Sequence, residues 1–183
     1  MEILSWALAR DVVTVSAEVY ARYRRKMRFA AAPPPSFKCP PNPRNNPRQY
    51  LLYVGRLSPE KGIDRLIKAY LRAGAPCPLW IAGDGPMRAL VEKLARHPQV
   101  TYLGKVPREE LPNVYRGAIA LKVPSYTEAW GHVITEAKTC GVPHVITPEN
   151  LAISKYRKTT TFRDEEHLAQ LINAICAYYR RNT

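Results

Sequence analysis

The chain has 183 residues, 46% of them hydrophobic and 23% charged, the length and composition of one globular domain with a sizeable core; a disordered chain is excluded. No apolar run approaches the roughly 18 residues a membrane-spanning helix needs. The net charge of +13 favours anionic partners: nucleic acid, an acidic membrane or phosphorylated small molecules. A solvated basic face explains it equally well.

The chain opens on MEILSWALAR, which lacks both the basic leader and the long apolar centre of a signal peptide; the expectation is a cytoplasmic protein. DVVTVS (11–16) is a short strand pattern, followed by a helical AEVYARYRRKM. Five of the cations, Arg22, Arg24, Arg25, Lys26 and Arg28, fall within seven residues here. Residues 33–47 then place seven prolines in fifteen positions, which forbids helix and central strand and reads as a stiff, extended linker. QYLLYVG (49–55) is an apolar strand. Ser58 and Pro59 form a helix start, with the serine as cap and the proline at the first helical position. The helix sets Ile63, Leu66, Ile67, Tyr70 and Leu71 on one face. LWIAG (79–83) is a second strand of this unit, and Pro86 opens a helix with Met87, Leu90, Val91 and Leu94 in register. VTYLG (100–104) follows, then a short helix from about Arg108 to Arg116. IALKVPS (119–125) leads into a helix from about Gly131 to Cys140, and PHVIT (143–147) is the last strand. A helix capped by Asp164 closes the chain, with Leu168, Leu171, Ile172, Ile175 and Tyr179 in one stripe.

Apolar strands alternating with amphipathic helices imply a Rossmann-like, doubly wound parallel α/β sheet covered on both faces. Ligands on such sheets bind beyond the carboxyl ends of the strands, so the informative residues should lie in the loops after them. The four cysteines, Cys39, Cys77, Cys140 and Cys176, show no CxxC pair and no zinc-ligand spacing. They read as reduced, mostly buried thiols, with no metal bound.

After the strand at 49–55, Gly55 turns the chain while Arg56 and Lys61 place two cations beside a helix N-terminus, where phosphate is the natural occupant. A plain turn with two solvated cations would look the same. Gly83-Asp84-Gly85 lacks the third glycine of a dinucleotide fingerprint, since Arg88 occupies that position; a tight turn suffices for it. The loop Ser125-Tyr126-Thr127-Glu128-Ala129-Trp130-Gly131-His132 carries one carboxylate at the mouth of a helix, and Glu136 stands inside it, about a turn and a half deeper. Carboxylates accept hydrogen bonds from sugar hydroxyls, and the amides of Trp130, Gly131 and His132 suit a diphosphate. The bland reading of Ser125 and Glu128 is a capping box.

Together, YVGRLSPEKGIDRLIKAY, LWIAGDGPMRALVEKLA, VTYLGKVPREELPNVYRGA and VPSYTEAWGHVITEAKTCGVPHVIT resemble the C-terminal domain of GT-B retaining glycosyltransferases of family 4, in order and spacing, across residues 50–147. The resemblance implies one half of a GT-B fold: 1–29 as a remnant of the N-terminal acceptor domain, 30–48 as the linker and 49–183 as the donor-binding domain. It implies that Arg56 and Lys61 bind the donor diphosphate and stabilise the leaving nucleotide. Glu128 and Glu136 become the two acids of an E-x7-E motif, the first facing the donor sugar and the second the ribose. Gly55, Gly83 and the amides around Trp130, Gly131 and His132 would approach sugar and phosphate, and Lys105 and Val106 would lie against the base. Family members use a nucleotide-diphospho-sugar with no metal or other cofactor, in keeping with the absence of a DxD here. Two departures stand out. Most of the acceptor domain is missing, and the usual glycine-rich acidic loop after Val145 is replaced by TPENLAISKYRKTTTF; Ala129 is a milder change, where glycine is commoner.

Three readings follow. The chain is a transferase component working with a separately encoded N-terminal half, a nucleotide-sugar-binding module without catalysis, or, least favoured, a nucleic-acid-binding protein. The Arg22–Arg28 cluster would touch acidic lipid at the inner membrane face, or belong to a face that meets the missing domain.

Overall fold

In the computed structural model of the chain, residues 13–14, 28–29, 37–40, 47–128, 131–151 and 159–182 are described. Two short strands, β1 (Val13–Thr14) and β2 (Arg28–Phe29), pair in parallel. The helix expected between them, with Arg22, Arg24, Arg25 and Lys26, lies outside the described residues, as do Trp130, Arg157 and Lys158.

The main sheet begins with β3 (Tyr50–Val54) and continues through β4 (Leu79–Ala82), β5 (Val100–Gly104), β6 (Ala118–Lys122), β7 (His144–Pro148) and β8 (Thr160–Phe162). All six strands are parallel, in the order β5-β4-β3-β6-β7-β8. The first three thus run outward one way from β3 and the next three the other way from β6. The order reverses between β3 and β6, and a crevice opens at such a reversal because neighbouring loops leave on opposite sides. This is the expected doubly wound α/β fold.

Alternation along β3 divides the core. Leu51 and Tyr53 face a cluster completed by α1 (Ile63–Arg72), α2 (Arg88–Leu94) and α5 (Glu165–Arg181). Tyr50 and Leu52 face the other, with α3 (Leu111–Arg116) and α4 (His132–Thr139). Arg48 ties the second layer together at its base, donating to the carbonyls of Arg116 at 3.1 Å, Ala118 at 3.0 Å and Gly141 at 2.7 Å. Among the described residues, no helix is long and apolar enough to cross a membrane.

Several expectations change. The helix expected from Ser58-Pro59 is two pieces, a 3-10 turn (Pro59–Lys61) and α1, broken by Gly62 in the left-handed region at φ 66°. Ser58 occupies the cap position, but its hydroxyl donates to the Glu60 carboxylate at 2.6 Å and accepts no capping bond from the backbone. Leu71 is 49% exposed because it lies about 80° round the helix from Ile63, at 100° per residue, beyond the buried face. Leu90 is also exposed, one turn before buried Leu94. The short helix begins at Leu111, not Arg108. β8 was not expected: three residues, two of them threonine, carry too little apolar signal. The cysteines are not free thiols. Cys39 bonds Cys140 and Cys77 bonds Cys176, with Cα–Cα distances of 5.3 and 5.8 Å that suit disulfides. The described part of the linker is accordingly laid on the domain, with Phe37 and Cys39 packed against the second core cluster.

One charge sits in the wrong place for a sheet. Lys122, in β6, is 1% exposed and its amine has no hydrogen-bond partner. Burial pushes its pKa from the ordinary 10.5 down to about 7. Between those values the unfolded chain holds a proton the folded chain lacks, so stability rises with pH through this window; below it the whole cost remains. Above about pH 10 buried Tyr50, raised to about 12, acts in the opposite direction. Lys122→Met is therefore expected to raise the melting temperature at pH 7 by several degrees and to flatten the rise in stability from pH 7 to 10, measured by thermal unfolding across pH. An unchanged pH profile would contradict this account of Lys122.

Candidate functional site

The loops that leave the strand tips interlock through glycine. A Cβ on Gly83 would stand 1.8 Å from the Gly55 carbonyl oxygen, so the turn after β4 closes on the turn after β3 only with hydrogen there. Gly55 N–H donates to the Ala82 carbonyl at 3.0 Å, and Leu57 N–H to that of Asp84 at 2.9 Å. On the other side, a Cβ on Gly62 would meet the Pro124 carbonyl oxygen at 2.1 Å, and Tyr126 N–H donates to Glu60 at 2.9 Å. The turn after β3 is thus held from both flanks, by β4's turn and by β6's. The need for glycine at 83 is thus a backbone contact.

Two adjoining cavities lie over these tips. The larger, about 480 Å³, is lined by Gly55, Arg56, Gly83, Asp84, Lys105 and Val106. The smaller, about 200 Å³, is lined by Gly55, Lys61, Lys122, Ser125, Glu128 and His132. Val54 and Gly55 belong to both, so the cleft straddles the end of β3, at the reversal of strand order.

Glu128 is the most heavily held group in the smaller cavity. Its carboxylate accepts from Gly131 N–H at 3.1 Å and from the Ser125 hydroxyl at 3.3 Å, and pairs with the Lys61 ammonium at 2.9 Å. Gly131, at φ 64°, occupies the N-cap of α4. The carboxylate therefore folds back on the loop before α4, and no side-chain bond caps the helix, unlike a capping box. Lys61 reaches 67 residues along the chain to meet it, a contact absent from the expectation that it serves phosphate alone.

Glu136 lines neither cavity. It is buried on α4, where one oxygen accepts from the Tyr115 hydroxyl at 2.9 Å and the other stands 3.8 Å from the Arg108 guanidinium. Burial first, then the Glu136 charge, raise the Tyr115 pKa and keep that phenol a donor. The two acids thus have different surroundings, one at a cavity wall and one behind it.

Three contributors escape a reading by motif. Tyr53 lines the smaller cavity and donates to the Arg56 carbonyl at 2.7 Å, fixing the cationic turn; a second phenol in the strand YLLYV was the available signal. Asp84 accepts from Gly85 N–H at 2.8 Å at the edge of the larger cavity. Lys122 interrupts the apolar run IALKV. Among the described residues, no group of three metal-ligating side chains is gathered.

Geometry of this kind has relatives. Residues 38–173 match the family model described as "Glycosyl transferases group 1". The O-antigen chain mannosyltransferase B of Escherichia coli is 38% identical over 105 residues, 52% of this chain and 28% of that protein. The D-inositol 3-phosphate glycosyltransferase of Mycobacterium sp. (strain KMS) is 38% identical over 109 residues, 55% of this chain and 25% of its own length. This chain thus spans about a quarter of the curated relatives it matches. Among solved structures, Anabaena Alr3699/HepE in complex with UDP and glucose superposes with a TM-score of 0.72 at 18% identity, over 98% of this chain and 59% of that one. The likeness to that protein is one of fold. With the family model covering most of its length, the chain belongs to the glycosyl transferases group 1 family.

Proposed function

We propose that this chain is the donor-binding part of a retaining glycosyltransferase of GT-B family 4 and binds a nucleotide-diphospho-sugar across the two cavities. The observation that carries the reading is their division of labour about Gly55, with Arg56 on one side and Lys61 paired to Glu128 on the other. A diphosphate spans that junction. Its nucleoside lies in the larger cavity towards Lys105 and Val106, with the ribose reaching the 8% of the Glu136 side chain that stays exposed behind the cavity wall. Its sugar lies in the smaller one, with hydroxyls donating to Glu128. The nucleotide complex of the Anabaena neighbour agrees with this chemistry.

Breaking the sugar–phosphate bond leaves negative charge on the diphosphate. Arg56, Lys61 and the positive end of the α4 dipole stabilise it as it develops. Two fixed cations and a helix end supply this charge, so the proposal invokes no metal and no other cofactor. The departing phosphate takes the acceptor's proton. The acceptor itself is read by the N-terminal half of the GT-B fold. Residues 49–183 form the donor-binding unit.

Binding separates the roles. Arg56→Ala is expected to weaken UDP and UDP-sugar alike by about tenfold, the value of one charge-assisted hydrogen bond. Glu128→Ala is expected to abolish the preference for a UDP-sugar over UDP while leaving UDP binding intact or tighter, because Lys61 is released from its carboxylate partner. Titration calorimetry with UDP-, GDP- and ADP-sugars and their parent diphosphates reads both. Stabilisation by DNA or RNA with none by any nucleotide would sink the transferase reading.

A further inference from the structure

The residues ahead of the sheet do more than connect. Phe37 packs edge-on against Tyr115, with ring centroids 5.9 Å apart and planes at 89°. The Arg108 guanidinium carbon lies 5.8 Å from the centre of the same Phe37 ring. Tyr115 and Arg108 are the two side chains that hold the Glu136 carboxylate, one from each oxygen. A single ring therefore touches both partners of one buried acid.

The ring is itself anchored. Cys39, two residues on, is bonded to Cys140, and Cys140 is the C-cap of α4, the helix that carries Glu136. The Arg116 guanidinium, at the end of α3, donates to the Pro40 carbonyl. The segment at 37–40 thus fastens to α4 through sulfur and to α3 through Pro40, with Phe37 against Tyr115 of α3.

We infer that Phe37 is a positioning residue for the nucleoside end of the site, holding Tyr115 and Arg108 where they fix the direction of the Glu136 carboxylate. The inference rests on the proposed reading of Glu136 as the ribose acceptor. The physics is that of a buried carboxylate: its orientation is set by its donors, and a donor with slack lets it turn. Loss of the ring removes an aromatic edge contact from Tyr115 and a cation–π contact from Arg108 together. Ribose hydroxyls then meet a carboxylate without a fixed direction, while the diphosphate, held at Arg56 and Lys61, is unaffected.

Calorimetry on the whole chain with UDP, ADP and GDP, set beside inorganic pyrophosphate, tests this. Phe37→Leu keeps an apolar cover and removes the ring; it is expected to weaken the nucleoside diphosphate that wild type binds best by about tenfold. Pyrophosphate should stay within about twofold. Phe37→Tyr, which retains the ring, should recover wild-type affinity for both. Cys39→Ala, which loosens the tether but keeps the ring, should fall between wild type and Phe37→Leu. Equal losses for nucleotide and pyrophosphate, or no loss in Phe37→Leu, would overturn the positioning role and leave the site reading standing. Failure of wild type to bind any nucleoside diphosphate would instead overturn the site reading and this inference with it.

Discussion

The approach of Gly83 to the Gly55 carbonyl fixes where the rest of the site can be. It brings the turn after β4 onto the turn after β3, and the hydrogen on Gly83 is all the space permits. Gly62 against Pro124 repeats the arrangement on the β6 side. Both contacts lie at the carboxyl ends of strands beside the point where strand order reverses, so close-packed backbone forms part of the floor of the crevice that topology opens. Backbone floors admit a ligand's phosphates closely, and the cations Arg56 and Lys61 flank this one.

Electrostatics then divides the crevice. A carboxylate and an ammonium 2.9 Å apart, with side chains 11% and 30% exposed, are neither a fully buried pair nor a solvated surface bridge. Such a pair is readily shared with a charged ligand, since an incoming phosphate offers Lys61 a second anion while Glu128 keeps Ser125 and Gly131. Lys122 is the counterexample: a cation in the same sheet with no partner, for which burial favours the neutral amine. Where the fold needs a charge it supplies a partner, and where it does not, the charge is suppressed.

Much of this was legible in the residues, and the failures have a common cause. The runs YLLYV, LWIA and AIALK announce strands because burial on both faces demands continuous apolar sequence. Arg56, Lys61 and Glu128 could be placed beside the cleft from sequence because loops after parallel strands are where ligands sit. What could not be read locally depends on distant partners. Lys61 meets Glu128 67 residues away, and the disulfides close separations of 101 and 99 residues that no spacing rule reveals. The proline-rich stretch was legible as non-helical but not as packed, because Phe37 acts through Tyr115 and Arg108 from other elements. β8 is too short and too polar to declare itself, and its place at the sheet edge comes from pairing with β7. Leu71 belonged to the apolar count and not to the buried face.

The central claim is that a nucleoside diphosphate lies across the tips of β3, β4 and β6. Backbone amide resonances followed during titration with the tightest-binding nucleoside diphosphate test it most directly. The account expects the largest shifts at Gly55, Gly83, Gly85 and Gly131, with Gly74 and Gly141, beyond the carboxyl ends of α1 and α4, unmoved. Shifts centred on Gly74 and Gly141, or none at saturating ligand, would contradict it.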